Sequence, residues 1–389
     1  MIGAGGLAPD LYGLRLVFVV DDIAPISGGV PAVVRQLSLR VAEQGATVQL
    51  VYAHGELDDL TQNLEGFAFR PHGLGRMWSW GAQLSKGVAQ LSQNVGSGPT
   101  LFHLHGIWAA PQYFAARAAH ANGVPFIVSA HGMLEPWLWN EQGWRIWAKK
   151  KAYWAGLAYP ALSKATIIHA ITPLERDHLR VLFPKNQIEV IPNAIDVTEV
   201  DEIVPVERSK TILFLGRIEP KKGVDILIQA FAKAKLPADW NLRIAGPVWS
   251  SKYLVLLEKL VRSLELEDRV KFSGPVFGDD KREMLQRAWV MAVPSHSEVV
   301  GLVNLEAAIF RLPTITTPNT GLQDWESGGG ILVSPDVDAL FAALQAACAW
   351  SDHEQFERGL ASRRLVLDRY SWRAVLPQWT SLYSSLRQG

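Results

Sequence analysis

The sequence has one cysteine, no excess charge of either sign and no long apolar run, and each shortage removes a class of protein. With Cys348 alone, no intrachain disulfide can form, which favours a reducing compartment. Lys plus Arg number 38 and Asp plus Glu number 38, giving a net charge of +0. A general nucleic-acid binder carries a basic excess, so that class is set aside. No stretch reaches the roughly 18 apolar residues that a membrane-spanning helix needs. The apolar run at residues 16–20 has no basic region before it and meets Asp21 and Asp22 at once, so it reads as a strand, not a secretory signal. The expectation is a cytoplasmic protein that neither spans a membrane nor binds nucleic acid.

With 389 residues, the chain exceeds the size at which one hydrophobic core keeps growing, so two domains are expected. Short apolar runs at residues 15–20, 47–53, 100–104, 125–129, 167–171 and 189–191 read as buried strands. Amphipathic segments stand between them: Val30, Val33, Val34, Leu37 and Val41 fall close to helical spacing, and residues 111–122 and 173–182 each open on a proline suited to a first turn. A polar stretch at 192–210 interrupts the alternation. It restarts with strands at 211–215, 241–245, 269–272, 290–293, 314–316 and 330–333. Strands alternating with helices imply parallel sheets and an α/β fold of two doubly wound, Rossmann-like halves. Ligands of such sheets bind beyond the carboxyl ends of the strands, so a cleft between the halves is where chemistry is sought.

Four segments at such ends carry candidate chemistry. The first runs from Ser295 through Glu298, Gly301, Leu302 and Val303 to Glu306, entering a helix near Gly301. Glu298 and Glu306 can accept hydrogen bonds from sugar and ribose hydroxyls, and the free amides at Gly301, Leu302 and Val303 favour phosphate. Read alone, the two acids are equally well explained as solvated groups near a helix terminus. The second is Gly216-Arg217 with Lys222-Gly223, where a planar fork and a compact charge suit diphosphate oxygens; alone it reads slightly better as a solvated basic loop. The third, Gly28-Gly29, is a small-residue turn at a helix start, neither a Walker A loop nor a dinucleotide fingerprint. The fourth is His131-Gly132, with His105-Gly106 one strand earlier. His131 stands evenly between a structural and a functional role, whereas His105 reads as structural and His103 as packing.

Taken in order and in the proper halves, these segments resemble the GT-B glycosyltransferases of family GT4. The set is Gly28-Gly29, His131-Gly132, Ile191-Pro192-Asn193-Ala194-Ile195-Asp196, Gly216-Arg217 with Lys222-Gly223, and Glu298 with Glu306 seven residues between. The likeness covers nearly the whole chain. Ala194 replaces the family's usual glycine, and Val299-Val300 replaces an aromatic-glycine pair beside the donor sugar.

The resemblance implies an acceptor-side domain at 1–196, completed by a C-terminal helix at 371–389, and a donor domain at 197–370. It implies a retaining hexosyl transfer from a nucleotide-diphosphate sugar to a glycan or lipid-linked oligosaccharide, in surface or exopolysaccharide synthesis. Glu306 would hold the ribose hydroxyls, Glu298 those of the donor sugar, and His131 would stand beside the reacting sugar. Arg217 and Lys222, with helix-start amides near Gly29 and Gly301, would balance the departing diphosphate; Gly216 would join them in donor binding, and no metal or other cofactor is expected. Domain closure would exclude water. A non-catalytic nucleotide- or carbohydrate-binding module, a nucleotide-sugar epimerase or a phosphorylase on the same fold are the alternatives, and a dehydrogenase is weaker for want of a fingerprint.

The acceptor region is open to two readings. Trp137, Trp139, Trp144, Trp147 and Trp154 mix with Lys149, Lys150 and Lys151, which suits peripheral contact with a membrane surface. The preferred reading is a helix whose tryptophans face the core and whose lysines face solvent.

Overall fold

The computed structural model describes residues 11–24, 29–58, 61, 64–71, 78–81, 83–93, 98–136, 144–197 and 206–388. The chain divides into two compact units, Met1–Asn193 with Val375–Gly389, and Ala194–Ala374. Gly28, Trp137 and Trp139 lie outside the described residues, as does the connecting segment 198–205.

The first unit is a seven-stranded parallel sheet. Its strands are β1 (Arg15–Val19), β2 (Thr47–Tyr52), β3 (Glu65–Ala68), β4 (Thr100–His105), β5 (Phe126–Ser129), β6 (Ile167–Ala170) and β7 (Gln187–Val190), in the order β3-β2-β1-β4-β5-β6-β7. A parallel sheet covered on both faces requires strands without alternation, and β1, β4, β5 and β6 are buried at every position. Sequence periodicity missed β3 because it is a mostly exposed edge strand, Glu-Gly-Phe-Ala, without an apolar run. Val17, Val19, Phe102, Leu104, Phe126 and Val128 belong to the apolar core that also takes in Leu84 and Val88 of α2 (Leu84–Gln93) and Ala115, Ala116 and Ala119 of α3 (Ala110–Ala121). Helix α1 (Gly29–Glu43) follows β1.

The opposite face is polar at its centre. Phe18 pairs in register with His103, and His103 with Ile127. There the C-terminal helix Trp372–Ser385 lays Trp379 and Tyr383 against His103. His169 Nε2 lies 2.8 Å from the Ile191 carbonyl, and an acceptor-only carbonyl obliges that nitrogen to donate. His169 Nδ1 must then accept from Ser129 Oγ at 2.7 Å, Ser129 accepts from His103 Nε2 at 2.7 Å, and His103 Nδ1 accepts from Tyr383 Oη at 2.8 Å. One carbonyl therefore sets every tautomer in the chain. Burial drives His169 down to about 4 and His103 well below the usual imidazole range, so both rings are neutral.

The second unit has six parallel strands: β8 (Thr211–Leu215), β9 (Asn241–Ala245), β10 (Val270–Gly274), β11 (Val290–Val293), β12 (Thr314–Thr316) and β13 (Ile331–Leu332), in the order β10-β9-β8-β11-β12-β13. Its apolar core includes Phe214, Ile244, Met291 and Leu227. At the carboxyl ends the backbone crowds. A Cβ on Gly246, at φ +144, would stand 1.9 Å from the Gly216 carbonyl, so only glycine lets β8 and β9 end side by side.

Removing the hydroxyl at the centre of the polar chain orphans His103 Nε2–H and His169 Nδ1 together. At about 1–3 kcal/mol for each buried polar group left unpaired, Ser129→Ala is expected to destabilise the first unit by roughly 2–6 kcal/mol. Denaturant unfolding of wild type and variant measures it, and a change within about 0.5 kcal/mol would contradict the chain as drawn.

Candidate functional site

The strongest sequence signal lies on the loop between β11 and α10 (Leu302–Ile309). Glu298 pairs with Lys222, and both side chains are largely buried. Lys222 closes a 3-10 turn, Pro220–Lys222, that follows β8 and precedes α7 (Val224–Ala234). Gly223 makes the approach possible: at φ +66, a Cβ there would stand 2.4 Å from the Pro294 carbonyl. The two motifs, 76 residues apart, thus form a single ion pair.

The Glu298 loop is braced from β12. Thr317 Oγ1 donates to the Ser295 carbonyl at 2.6 Å, and Asn319 Nδ2 to the His296 carbonyl at 3.0 Å. In return, Glu298 N–H donates to the Asn319 carbonyl at 2.8 Å and Gly301 N–H to the Thr320 carbonyl at 3.1 Å. The signal available in the sequence for this brace was the Thr317-Pro318-Asn319-Thr320 run after a strand.

Two expectations are corrected. Gly301 and Leu302 do not offer free amides: Gly301 N–H is taken by Thr320, and Leu302 N–H donates to the Val300 carbonyl at 2.9 Å. Val303, the second residue of the helix, is partly buried against the core. A short loop tied to a neighbouring turn satisfies its own donors before any ligand arrives. The second correction concerns Arg217 and Glu306, which are not solvated alone. Arg217 pairs with Glu219 at 3.0 Å and lies 4.9 Å over the Trp249 ring; Glu306 pairs at 2.8 Å with Lys281 of α9 (Gly278–Arg287). Glu219, Trp249 and Lys281 carried no motif in the sequence.

In the first unit, His131 follows β5 at φ 51, a left-handed conformation uncommon for a residue with a side chain, and Gly132 continues it at φ 72. His105 Nδ1 and His131 Nε2 are 2.9 Å apart. His105 Nε2 is buried with no hydrogen-bond partner among the described residues. A proton there would be an orphaned donor, so the proton sits on Nδ1 and His105 donates to His131. His131 consequently holds its own proton on Nδ1. Burial takes His131 down to about 3 and His105 well below the usual range, so His131 is a neutral hydrogen-bond donor, not a base poised near neutrality. Read as structural from the sequence, His105 sets the tautomer of its neighbour. Gly29 opens α1, and Val20, Asp21, Gly29, His105, Trp108 and Met133 line a cavity of about 290 Å³ in this unit.

Helix α4 (Trp144–Tyr153) overturns the preferred reading of the tryptophan-rich segment. It buries none of its residues: Trp144 is 75% and Trp147 44% exposed, Tyr153 packs partly buried against the core, and of the described tryptophans in this segment Trp154, in the π-helical turn Trp154–Ala158, packs into it. Among the described residues no helix is long and apolar enough to cross a membrane, and no group of three or more His, Cys, Asp or Glu is placed to hold a metal ion.

Replacing one member of the Lys222–Glu298 pair leaves the other buried and uncompensated, whereas removing both leaves none. Lys222→Met and Glu298→Gln are each expected to destabilise the second unit, with a coupling of about 0.5–3 kcal/mol between them in a double-mutant cycle. Additive effects would place the two charges apart.

Two family models divide the chain between them: glycosyltransferase family 4 matches residues 27–199, and glycosyl transferases group 1 matches residues 197–354. Over 382 residues the chain is 25% identical to the GDP-mannose:cellobiosyl-diphosphopolyprenol alpha-mannosyltransferase of Xanthomonas oryzae pv. oryzae, covering 95% of this chain and 96% of that protein. It is 27% identical over 361 residues to the alpha-maltose-1-phosphate synthase of Mycobacterium tuberculosis, covering 82% and 87%. The fold matches Anabaena HepE in complex with UDP and glucose, with a TM-score of 0.73 at 18% identity over 95% of this chain and 99% of that one.

Proposed function

The chain belongs to the family 4 glycosyltransferases, and on that footing we propose that it transfers a sugar, with retention, from a nucleoside-diphosphate donor to a lipid-linked glycan. The observation that carries this reading is the buried Lys222–Glu298 pair on loops at the carboxyl ends of β8 and β11, with Arg217 on the same turn as Lys222. The UDP and glucose of HepE and the diphosphopolyprenol acceptor named for the Xanthomonas enzyme support the donor and acceptor classes.

In this reading the bond from the anomeric carbon to the diphosphate breaks while the acceptor oxygen bonds that carbon on the same face. The acceptor proton passes to the departing phosphate oxygen. Arg217 and Lys222 meet the charge that develops there, which needs preorganised donors in a water-poor site. Glu298 accepts from donor-sugar hydroxyls, Glu306 from the ribose, and His131 Nδ1–H donates to the reacting sugar. Surface or exopolysaccharide assembly is the setting such an acceptor suits.

Helix α4 supports a peripheral contact with the membrane. Exposed Trp144, Ile146 and Trp147, with Lys149, Lys150 and Lys151 on the same helix, match an anionic bilayer surface, where an indole sits at headgroup depth and lysines meet lipid phosphate.

A nucleotide that binds only the folded protein raises its melting midpoint, with a stabilisation of about 2.7 kcal/mol at a hundredfold excess over Kd. Among UDP, GDP and ADP one is expected to do so, less in Glu306→Ala, and Lys222→Ala is expected to lower kcat by about 10²–10³-fold. No shift with any nucleotide, and no transfer product, would leave a binding module. For the membrane, co-sedimentation with vesicles containing phosphatidylserine is expected for wild type, weaker in Trp144→Ser/Trp147→Ser and at high salt. Equal sedimentation with purely zwitterionic vesicles would remove the electrostatic half of the reading.

A further inference from the structure

Glu175 is a carboxylate that no step above uses, and it is 2% exposed. It stands at the third position of α6 (Pro173–Leu182), whose N-cap, Thr172, accepts the Glu175 N–H at 3.1 Å. A Thr-x-x-Glu start ordinarily returns its carboxylate to the capping residue's own amide. Here the side chain is diverted. Oε2 accepts from Ile171 N–H at 2.7 Å, and Oε1 reaches to the next strand's loop, accepting from Gly132 N–H at 2.6 Å.

The place it grips is the left-handed pair His131-Gly132. A non-glycine residue at φ 51 is held against a backbone cost of about 1–2 kcal/mol and persists only where neighbours over-determine it. Two bonds inside the turn, Met133 N–H to the Ala130 carbonyl and Glu135 N–H to that of Gly132, both at 3.1 Å, close it locally. His105 reaches the His131 ring and Trp108 the Met133 carbonyl from the β4 side, while Glu175 ties the turn's backbone to the end of β6, through the amide one residue beyond His131. Helix α6 holds the loop a second time, where His178 Nδ1 lies 2.7 Å from Glu135 Oε2.

We propose that Glu175 is the positioning residue of this glycosyltransferase: its ionised carboxylate, bridging the Gly132 and Ile171 amides, holds His131 in the left-handed turn that aims Nδ1–H at the reacting sugar. This rests on the role given to His131 above. Glutamine cannot substitute, because its amide group would set a donor against one of two donors. Aspartate is one methylene short of spanning both.

Burial raises Glu175 to about 7, against the lowering effect of the two amide bonds, and the Glu135 charge adds to the rise. The sign follows. Above about 7 the carboxylate accepts from both amides; as pH falls through that value, protonation turns one oxygen into a hydroxyl and frees an amide. The folded protein binds this proton more tightly than the unfolded chain does, so the group's stabilising contribution is complete below its unfolded value and is lost as pH rises through about 7. Positioning and stability therefore run in opposite directions across neutrality. Of the other groups at this corner, Glu135 is also raised by burial and is paired with His178, while His131, His105 and His169 titrate far below the window.

The test is the pH profile of kcat in wild type, Glu175→Gln, Glu175→Asp, His178→Asn and His131→Ala, with nucleotide Kd and the imidazole ¹⁵N resonances of His131 recorded alongside. Wild type is expected to lose activity below about pH 7. Glu175→Gln should show kcat lowered by about 10–100-fold and flat through neutrality, with nucleotide Kd unchanged and His131 resonances shifted. Glu175→Asp should fall between, and His178→Asn should keep the limb. Melting curves identify a variant that fails to fold, in which case Glu175→Asp and the wild-type titration of the His131 resonances carry the decision. Glu175→Gln or Glu175→Asp with wild-type kcat, an intact limb and unshifted His131 resonances overturns the proposal. Unchanged turnover in His131→Ala overturns instead the reading on which it rests, and this proposal with it.

Discussion

A parallel sheet must be covered on both faces, and it delivers all its strand ends to the same edge. Those two facts govern each unit of this chain. Covering both faces buries the central strands at every position, and it requires the C-terminal helix, whose residues from Val375 onward belong with the first unit, to close a face that would otherwise expose His103. Collecting the strand ends crowds their turns, which is why glycines stand at the ends of β8 and β9 and why Gly223 can pass against the Pro294 carbonyl. The candidate chemistry is built on what these crowded turns bring together.

The polar chain in the first unit shows how a buried network can be rigid without charge. Four neutral groups donate in one direction, from Tyr383 to the Ile191 carbonyl, and no member can be reversed without reversing all. Next to it, His103 and His105 rings stand 3.9 Å apart, and His105 carries the constraint on to His131. The low titration of all four imidazoles comes first from burial, with repulsion from neighbouring histidines adding to it at His103, His105 and His131, and it makes His131 a donor of fixed orientation across the physiological range.

Much of this was legible in the sequence. Strands at 211–215, 241–245, 290–293 and 314–316, and the helix at 173–182, coincide with the observed elements, because buried parallel strands are short, apolar and bounded by turn residues. Strand β3 was not, being exposed and at an edge. Lys222 and Glu298 were each visible as motif residues, yet their pairing was not, since two residues 76 apart meet only through topology. Glu175 was invisible for a similar reason: at the first turn of an amphipathic helix it looks like an ordinary cap, and only the neighbouring loop reveals the diversion. Trp144 and Trp147 misled in the other direction. Aromatic residues usually pack, and it takes a helix with no buried residue to show that these do not.

The proposed donor site begins as a closed set of ion pairs, and that bears on how binding energy would be used. Arg217 is held by Glu219, Lys222 by Glu298, and Glu306 by Lys281, so positive and negative charges already balance. A diphosphate entering such a site does not meet bare cations; it competes with carboxylates for them. On the proposed roles, a diphosphate that wins Lys222 would release Glu298 at the same moment as an acceptor for donor-sugar hydroxyls. Glu298 would pass from one partner to hydrogen-bonding hydroxyls and not stand bare, which lessens the several kcal/mol that an isolated buried charge would cost. A nucleotide without its sugar would free Glu298 and leave it unpaired, whereas the complete donor supplies both the anion and the hydroxyls. Selectivity for the intact nucleotide sugar over its own product would then arise from the pair itself, because the same two side chains are satisfied only when both halves of the donor are present.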